Sequence, residues 1–312
     1  MKFPIISEAL RLDRLEPPRG TVNMVLDTDT YNEIDDQFAV VYAMLSPERL
    51  NVEAIYAAPF LNERSSSPAD GMEKSYDEII RLLGRLGIAP EGFVFRGSPG
   101  YLPGPETPHQ SEAALDLVNR AMRVEDGPLY VAAIGAITNV ASAILIEPAI
   151  IEHIVVVWLA GQPHHWPNTQ EFNLSQDVPA SRLLFDCGVP LVHIPCSEVA
   201  AHLLMNVDEM ERCVEGCGAI GAYLSSIFKE YMKKHPKPEK EIWDIATIAW
   251  LINPAWVPTT LSLSPILTDR MTWGMDRARH PIRCAKFVHR DPVFQDLFTK
   301  LAAFAKSKPP RR

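Results

Sequence analysis

The strongest constraint in this chain is a regular alternation of short, β-rich apolar runs with segments of helical period. Residues 21–26 (TVNMVL), 52–58, 92–95, 129–134, 151–159 and 191–194 read as strands, and 37–45, 72–86, 111–122, 138–145 and 180–185 read as helices between them. Strands that are apolar along their whole length need cover on both faces. The pattern therefore predicts an α/β fold: one domain over residues 1–312 with a mostly parallel, open central sheet flanked by helices. Residues 1–20 form an N-terminal extension to it and 306–312 a short, frayed basic tail. Residues 207–232 read as one helix, 233–238 (KKHPKP) as a solvated loop, 243–251 as a helix, and 261–263 and 282–288 as late strands or a hairpin.

Parallel sheets bind ligands beyond the carboxyl ends of their strands. The turn after the first strand, LDTDTYNEIDDQF, holds Asp27, Asp29, Glu33, Asp35 and Asp36 within ten residues. Carboxylates this close raise one another's pKa unless a positive charge sits among them. A solvated loop is one explanation, and a helix start, where free N–H groups favour negative charge, is another. Neither accounts for Asp27 and Asp29 at the preceding strand end. With no clustered cysteine and no histidine pair at ligand spacing, the donor set suits a hard cation such as Ca²⁺ or Mg²⁺. The residue order of an EF-hand loop is absent.

The net charge of −9 over 312 residues leaves no surplus of Lys or Arg to neutralise phosphates, so nucleic acid and membrane surfaces are poor partners and a small molecule is the better one. Five dispersed cysteines without a CxxC pair suggest neither a disulfide framework nor a zinc site. With no apolar run of membrane-spanning length, the expected location is the cytoplasm.

Two enzyme families place paired aspartates after a first strand. Haloacid-dehalogenase-type phosphatases use D-x-D-x-T/V, which Asp27 and Asp29 fit but Tyr31 does not, and no later Lys and acidic pair completes that site. The chain resembles the nucleoside hydrolases, of the inosine–uridine-preferring type, over a longer stretch. Their D-x-D-P-G-x-D-D-A appears as DTDTYNEIDDQFA, with a connecting loop two residues longer and no Pro-Gly. Ile134 and the following GAITNVA resemble G-P-L-T-N-x-A; Glu171-Phe172-Asn173, Asp177 and the later FDCGVP resemble E-F-N…D-P-x-A-A and F-x-S-G-x-P; Asp244-Ile245-Ala246 stands where the family has H-D-P-x-A. The four fall in the family's order.

The resemblance implies a Ca²⁺-dependent hydrolase that splits the N-glycosidic bond of a ribonucleoside, or a close relative, into ribose and free base. It implies Asp29, Asp36, Asp244 and the carbonyl of Ile134 as metal ligands, Asp27 as a residue orienting its neighbours, and Asp29 as the acceptor of the attacking water's proton. Asp35, Asn62, Glu171 and Asn173 would bind the ribose hydroxyls. A homodimer or homotetramer is also implied. In Thr138-Asn139, one side chain is expected to cap the next helix. By itself, Glu171-Phe172-Asn173 would read as a loop anchored by its Phe.

The leaving-group acid departs from the family pattern. Where the family has His before the last aspartate, this chain has Trp243, which cannot transfer a proton but can stack on a base. His164 or His165 could donate the proton instead, with His165 standing near the position of a ribose-binding Asn in the family. Alternatively Trp243 stacks and solvent protonates the base, or the substrate carries a better leaving group. A non-catalytic ribose- or nucleoside-binding protein, and more remotely a metal-dependent phosphatase, are the rival readings.

Overall fold

A computed structural model of the chain describes residues 2–307. Its main sheet has eight strands: β1 (Val22–Thr28), β2 (Leu50–Ala57), β3 (Val94–Arg96), β4 (Leu129–Ala133), β5 (Ile154–Leu159), β6 (Leu191–Ile194), β7 (Thr259–Leu263) and β8 (Pro281–Ala285), in spatial order β3-β2-β1-β4-β5-β6-β8-β7. All neighbours are parallel except β8 and β7. The chain runs outward from β1 to β3, then returns to start again at β4. The carboxyl ends of β1 and β4 therefore flank a topological switch point, where an open α/β sheet leaves a crevice.

Side chains alternate between two apolar layers. Met24 and Leu26 of β1 join Phe38, Phe228 and Trp250 on one face, while Val25 joins Tyr56, Leu117, Trp158 and Phe185 on the other. Each such fully buried Leu, Phe or Met contributes roughly 1.5–3 kcal/mol. With both faces covered, the strand ends are rigid supports for whatever projects from them.

Several boundaries differ from the sequence-based expectations. β1 runs on through Thr28, so Asp27 is a strand residue paired with Tyr56 and Ala133. The expected single helix over 207–232 is instead a short helix Val207–Met210, a π-turn Glu211–Glu215 and a long helix Gly218–Lys234. Glycine makes that break possible: Gly218 has φ +69°, and a Cβ on Gly221 would lie 2.1 Å from the Val214 carbonyl oxygen. Glu171-Phe172-Asn173, which by itself would read as a loop, instead caps and opens a short helix, Phe172–Gln176. The late strands are the antiparallel edge pair β7 and β8.

The N-terminal extension contains a helix, Glu8–Leu15, capped by Ser7. It is tied down by Arg11 donating to the Gly188 carbonyl and Arg283 donating to that of Leu15. The basic tail begins inside the last helix, Arg290–Ser307, and its remaining residues lie outside those described. Among the described residues no helix is long and apolar enough to cross a membrane.

Candidate active site

Strand β1 delivers Asp27 and, one residue past its end, Asp29. Asp35 and Asp36 open the helix Asp36–Met44, and Asp244 stands at the start of the helix Ile245–Ile252. All five are buried. Neither Asp35 nor Asp244, each at a helix cap position, makes a side-chain capping bond. Capping therefore does not explain these carboxylates, which turn toward one another instead: oxygens of Asp35, Asp36 and Asp244 lie within 4.8 Å of one another. Both helix N-termini face this cluster and favour its negative charge.

Asp29 belongs to the same electrostatic group, since the charges of Asp36 and Asp35 both raise its pKa. It packs against the turn after β4 so closely that a Cβ on Gly135 would lie 3.0 Å from its carboxyl carbon. Glycine at this position brings the Asp29 carboxylate beside the backbone of Ile134, whose own N–H donates to the Asp27 carbonyl at 2.9 Å. Burial is the main cause that lifts all five acids above their ordinary range, Asp35 to about 6, Asp27 to about 7 and Asp36 to about 8.

Hydrogen bonds satisfy part of this group and leave the rest open. The Asn139 amide donates to Asp27 Oδ1 at 2.7 Å, and the Thr28 hydroxyl to Asp36 Oδ1 at 2.6 Å. Asp27 Oδ2, Asp36 Oδ2 and both oxygens of Asp29 are buried with no hydrogen-bond partner; Asn32 lies near enough to Asp29 to lower its pKa, but burial outweighs it. Buried, unpartnered carboxylate oxygens are costly unless something positive meets them. Oxygen donors from four carboxylates with a backbone carbonyl nearby fit a hard divalent cation.

A cavity of about 970 Å³ opens above this floor, lined by Asp35, Asn62, Ile134, Glu171, Asn173, Trp243 and Asp244 among others. Asp29 and Asp36 lie fully buried rather than on its wall. Asn173 donates to the carbonyls of Ile134 and Leu159 at 3.1 and 3.0 Å, which joins the ends of β4 and β5. Glu171 accepts from the N–H groups of Gly161, Asn173 and Leu174, capping the short helix and closing the loop after β5. Asn62 lines the cavity but commits its amide to the backbone of Asn32 at 3.0 Å.

His165 stands apart from this group. Its side chain is 69% exposed, pairs with Glu198 at 3.1 Å, and is not among the cavity-lining residues. His164 turns away into a stack against His193. Among the described residues the histidine on the cavity wall is His235, its ring packed at a tilt against Tyr231. It sits in the segment expected to be a solvated loop, so no sequence signal singled it out. The expected cap at Thr138-Asn139 is also absent: Thr138 donates to Asp177 at 2.7 Å, and Asn139 bridges Asp27, the Ala57 carbonyl and the Ser98 N–H. The strand-end aspartate held a stronger claim on the Asn139 amide than its own helix did.

Lys240 was likewise not anticipated. It is only 3% exposed, pairs with Glu33 at 2.8 Å, and its charge lowers the pKa of Asp35 against burial. Tyr231 donates to the same Glu33 at 2.7 Å, while Arg64 donates to the Glu33 carbonyl and covers the Tyr31 ring. Together with Asn62, these side chains hold the acidic loop, which has no Pro-Gly turn to stiffen it.

A family model described as inosine-uridine preferring nucleoside hydrolase matches residues 61–295. The chain belongs to this family. The match starts beyond the acidic loop. Among curated relatives, the pyrimidine-specific ribonucleoside hydrolase RihA of Salmonella typhimurium is 28% identical over 263 residues, covering 74% of this chain and 79% of that protein. The purine-preferring ribonucleoside hydrolase from Gardnerella vaginalis superposes with a TM-score of 0.73 at 20% identity, over 92% of this chain and 100% of the other. An inosine-guanosine nucleoside hydrolase gives 0.73 at 16%, over 91% and 99%. At these identities the superpositions establish the shared fold. Family membership makes this nucleoside hydrolase an N-ribosyl hydrolase, with the carboxylate floor as its candidate active site.

Proposed function

We propose that the chain hydrolyses the N-glycosidic bond of a ribonucleoside or a close relative in a Ca²⁺-dependent reaction, releasing ribose and a free base. The observation that carries this reading is the set of unpartnered oxygens on Asp29 and Asp36 beneath a cavity large enough for a nucleoside. Ca²⁺ would be held by Asp29, Asp36, Asp244 and the carbonyl of Ile134. When bound, it supplies Lewis-acid activation of water and an anchor for ribose hydroxyls.

The chain's own residues do the rest. An Asp29 carboxylate oxygen accepts the proton of the attacking water. Asp35, Glu171 and Asn173 surround the ribose, and their acceptor oxygens stabilise the positive charge that grows on the sugar as the bond to the base breaks. Asn62 acts on the ribose side by fixing the Asn32 turn. Trp243 offers a stacking face to the base, and His235 on the same wall offers an imidazole that can carry a proton to a departing nitrogen.

Reducing-sugar release from a panel of purine and pyrimidine ribonucleosides, with and without chelator, tests the reading on the wild type and Asp29→Asn. Chelator-sensitive release that disappears in the variant is the expected result. Release that survives thorough chelation overturns the calcium requirement. Ca²⁺ binding without release from any nucleoside favours a non-catalytic binder, and Trp243→His then asks whether a missing proton donor is the reason.

A further inference from the structure

A second cluster of ligating atoms lies outside the carboxylate floor. His164, in the loop after β5, places Nε2 3.1 Å from Nδ1 of His193 on β6, and Cys284 on β8 places Sγ 3.9 Å from that same Nδ1. All three ligating atoms lie within 4.8 Å of one another. His193 and Cys284 are buried and His164 is partly so. No residue of the proposed reaction belongs to this group.

Three features go beyond a chance hydrogen bond. First, His193 Nε2 lies 2.7 Å from the Ala160 carbonyl, an acceptor only, so Nε2 carries the ring proton and Nδ1 presents a lone pair to the cluster. A backbone carbonyl fixing the far nitrogen is the support metal-binding histidines regularly have. Second, burial holds both imidazoles neutral, His164 down to about 3 and His193 to about 4, so their lone pairs stay available at neutral pH. Third, Phe185 and Trp273 present ring edges to His193, giving the cluster an apolar wall. Burial pushes the Cys284 thiol up to about 11, and the charge of Lys286 works against that rise.

We propose that His164, His193 and Cys284 form a thiolate–imidazole site for Zn²⁺, clipping the loop after β5 to strands β6 and β8. Two imidazole nitrogens and one sulfur select a borderline-soft ion, whereas the carboxylate floor selects a hard one. Binding breaks the His164–His193 hydrogen bond. His164 moves its proton to Nδ1 so that Nε2 can ligate, Cys284 gives up its thiol proton to solvent, and one proton is released per metal. A water completes the shell. The clipped loop also carries Gly161, whose N–H donates to Glu171, so the ion stiffens one wall of the cavity from outside.

Cobalt(II) titration with excess Ca²⁺ present, followed by visible and near-ultraviolet absorbance, tests the site. The expected result is one equivalent bound with tetrahedral ligand-field bands and a thiolate charge-transfer band, both displaced by Zn²⁺. His164→Gln alters a partly exposed loop residue and should fold normally while weakening binding at least tenfold. Cys284→Ser removes the charge-transfer band, and Asp29→Asn leaves it in place, which keeps this test separate from that of the hydrolase reading. Zn²⁺ should also raise the Tm of the wild type more than that of His164→Gln. Absence of the charge-transfer band, its survival in Cys284→Ser, or equal Zn²⁺ shifts in wild type and His164→Gln overturns the site.

Discussion

Asn139 donates its amide to Asp27 at 2.7 Å, reaching from the first turn of one helix to the end of the neighbouring strand. The same amide group holds the Ala57 carbonyl and the Ser98 N–H, so one side chain ties the ends of β1, β2 and β3 together beneath the site. Asn139→Ala leaves Asp27 with no donor and turns loose the support of Asp29 two residues on. Losing such a supporting bond typically costs about 10–100-fold in metal affinity or activity. Steady-state kinetics and calcium titration should both show a loss of that size, and an unchanged kcat would mean that Asp27 needs no orienting.

Gly135 allows the Asp29 carboxylate to lie against the turn after β4. In Gly135→Ala the new Cβ meets the Asp29 carboxyl carbon at 3.0 Å, and the side chain has to shift by a few tenths of an ångström. Small misplacements of a proton acceptor, the role proposed for Asp29, are expensive in rate. We expect kcat to fall about tenfold or more while the thermal midpoint changes little; a drop in stability with kcat preserved would contradict this role.

Lys240 is the buried cation of the acidic loop. Lys240→Met leaves Glu33 without its ion pair and removes the charge that lowers Asp35. Breaking a fully buried pair costs about 3–5 kcal/mol, and Glu33, which is one-third exposed, brings the expected cost to the lower end or below. Urea unfolding measures it directly. A variant as stable as the wild type would show that Asn62, Arg64 and Tyr231 hold the loop without it.

His280 makes stability depend on acidity away from the site. Burial, with the charges of Arg11 and Arg279, pushes it down from 6.5 to about 4. As pH falls below 6.5, the unfolded chain takes up a proton that the folded chain refuses, so the neutral-pH stability is lost progressively toward pH 4. Carboxylates with raised pKa oppose this trend in the whole protein, so the comparison must be between variants. Between pH 7.5 and 5 the urea midpoint of the wild type should fall further than that of His280→Gln, and parallel changes would refute the assignment.

Most of the fold was legible because local physics wrote it into the chain. β-branched runs buried on both faces, separated by helical periods, permit little besides a parallel sheet, and the parallel sheet already sends Asp29 and the turn at Gly135 to one rim, while Asn173 was marked only by the family resemblance. The aspartates stood out because like charges at that density need an explanation.

The departures came where a residue's partner is distant in sequence. Asn139 resembled a helix cap until the fold brought Asp27 beside it. Lys240 lies just past the segment read as a solvated loop with nothing in the sequence to mark it, and pairing with Glu33 makes it a buried ion. His164, His193 and Cys284 are too far apart along the chain to show any ligand spacing, and they meet because β5, β6 and β8 lie side by side in the sheet. Spacing along a chain records helix turns and strand pleats, whereas contacts between strand ends depend on the order in which the strands assemble.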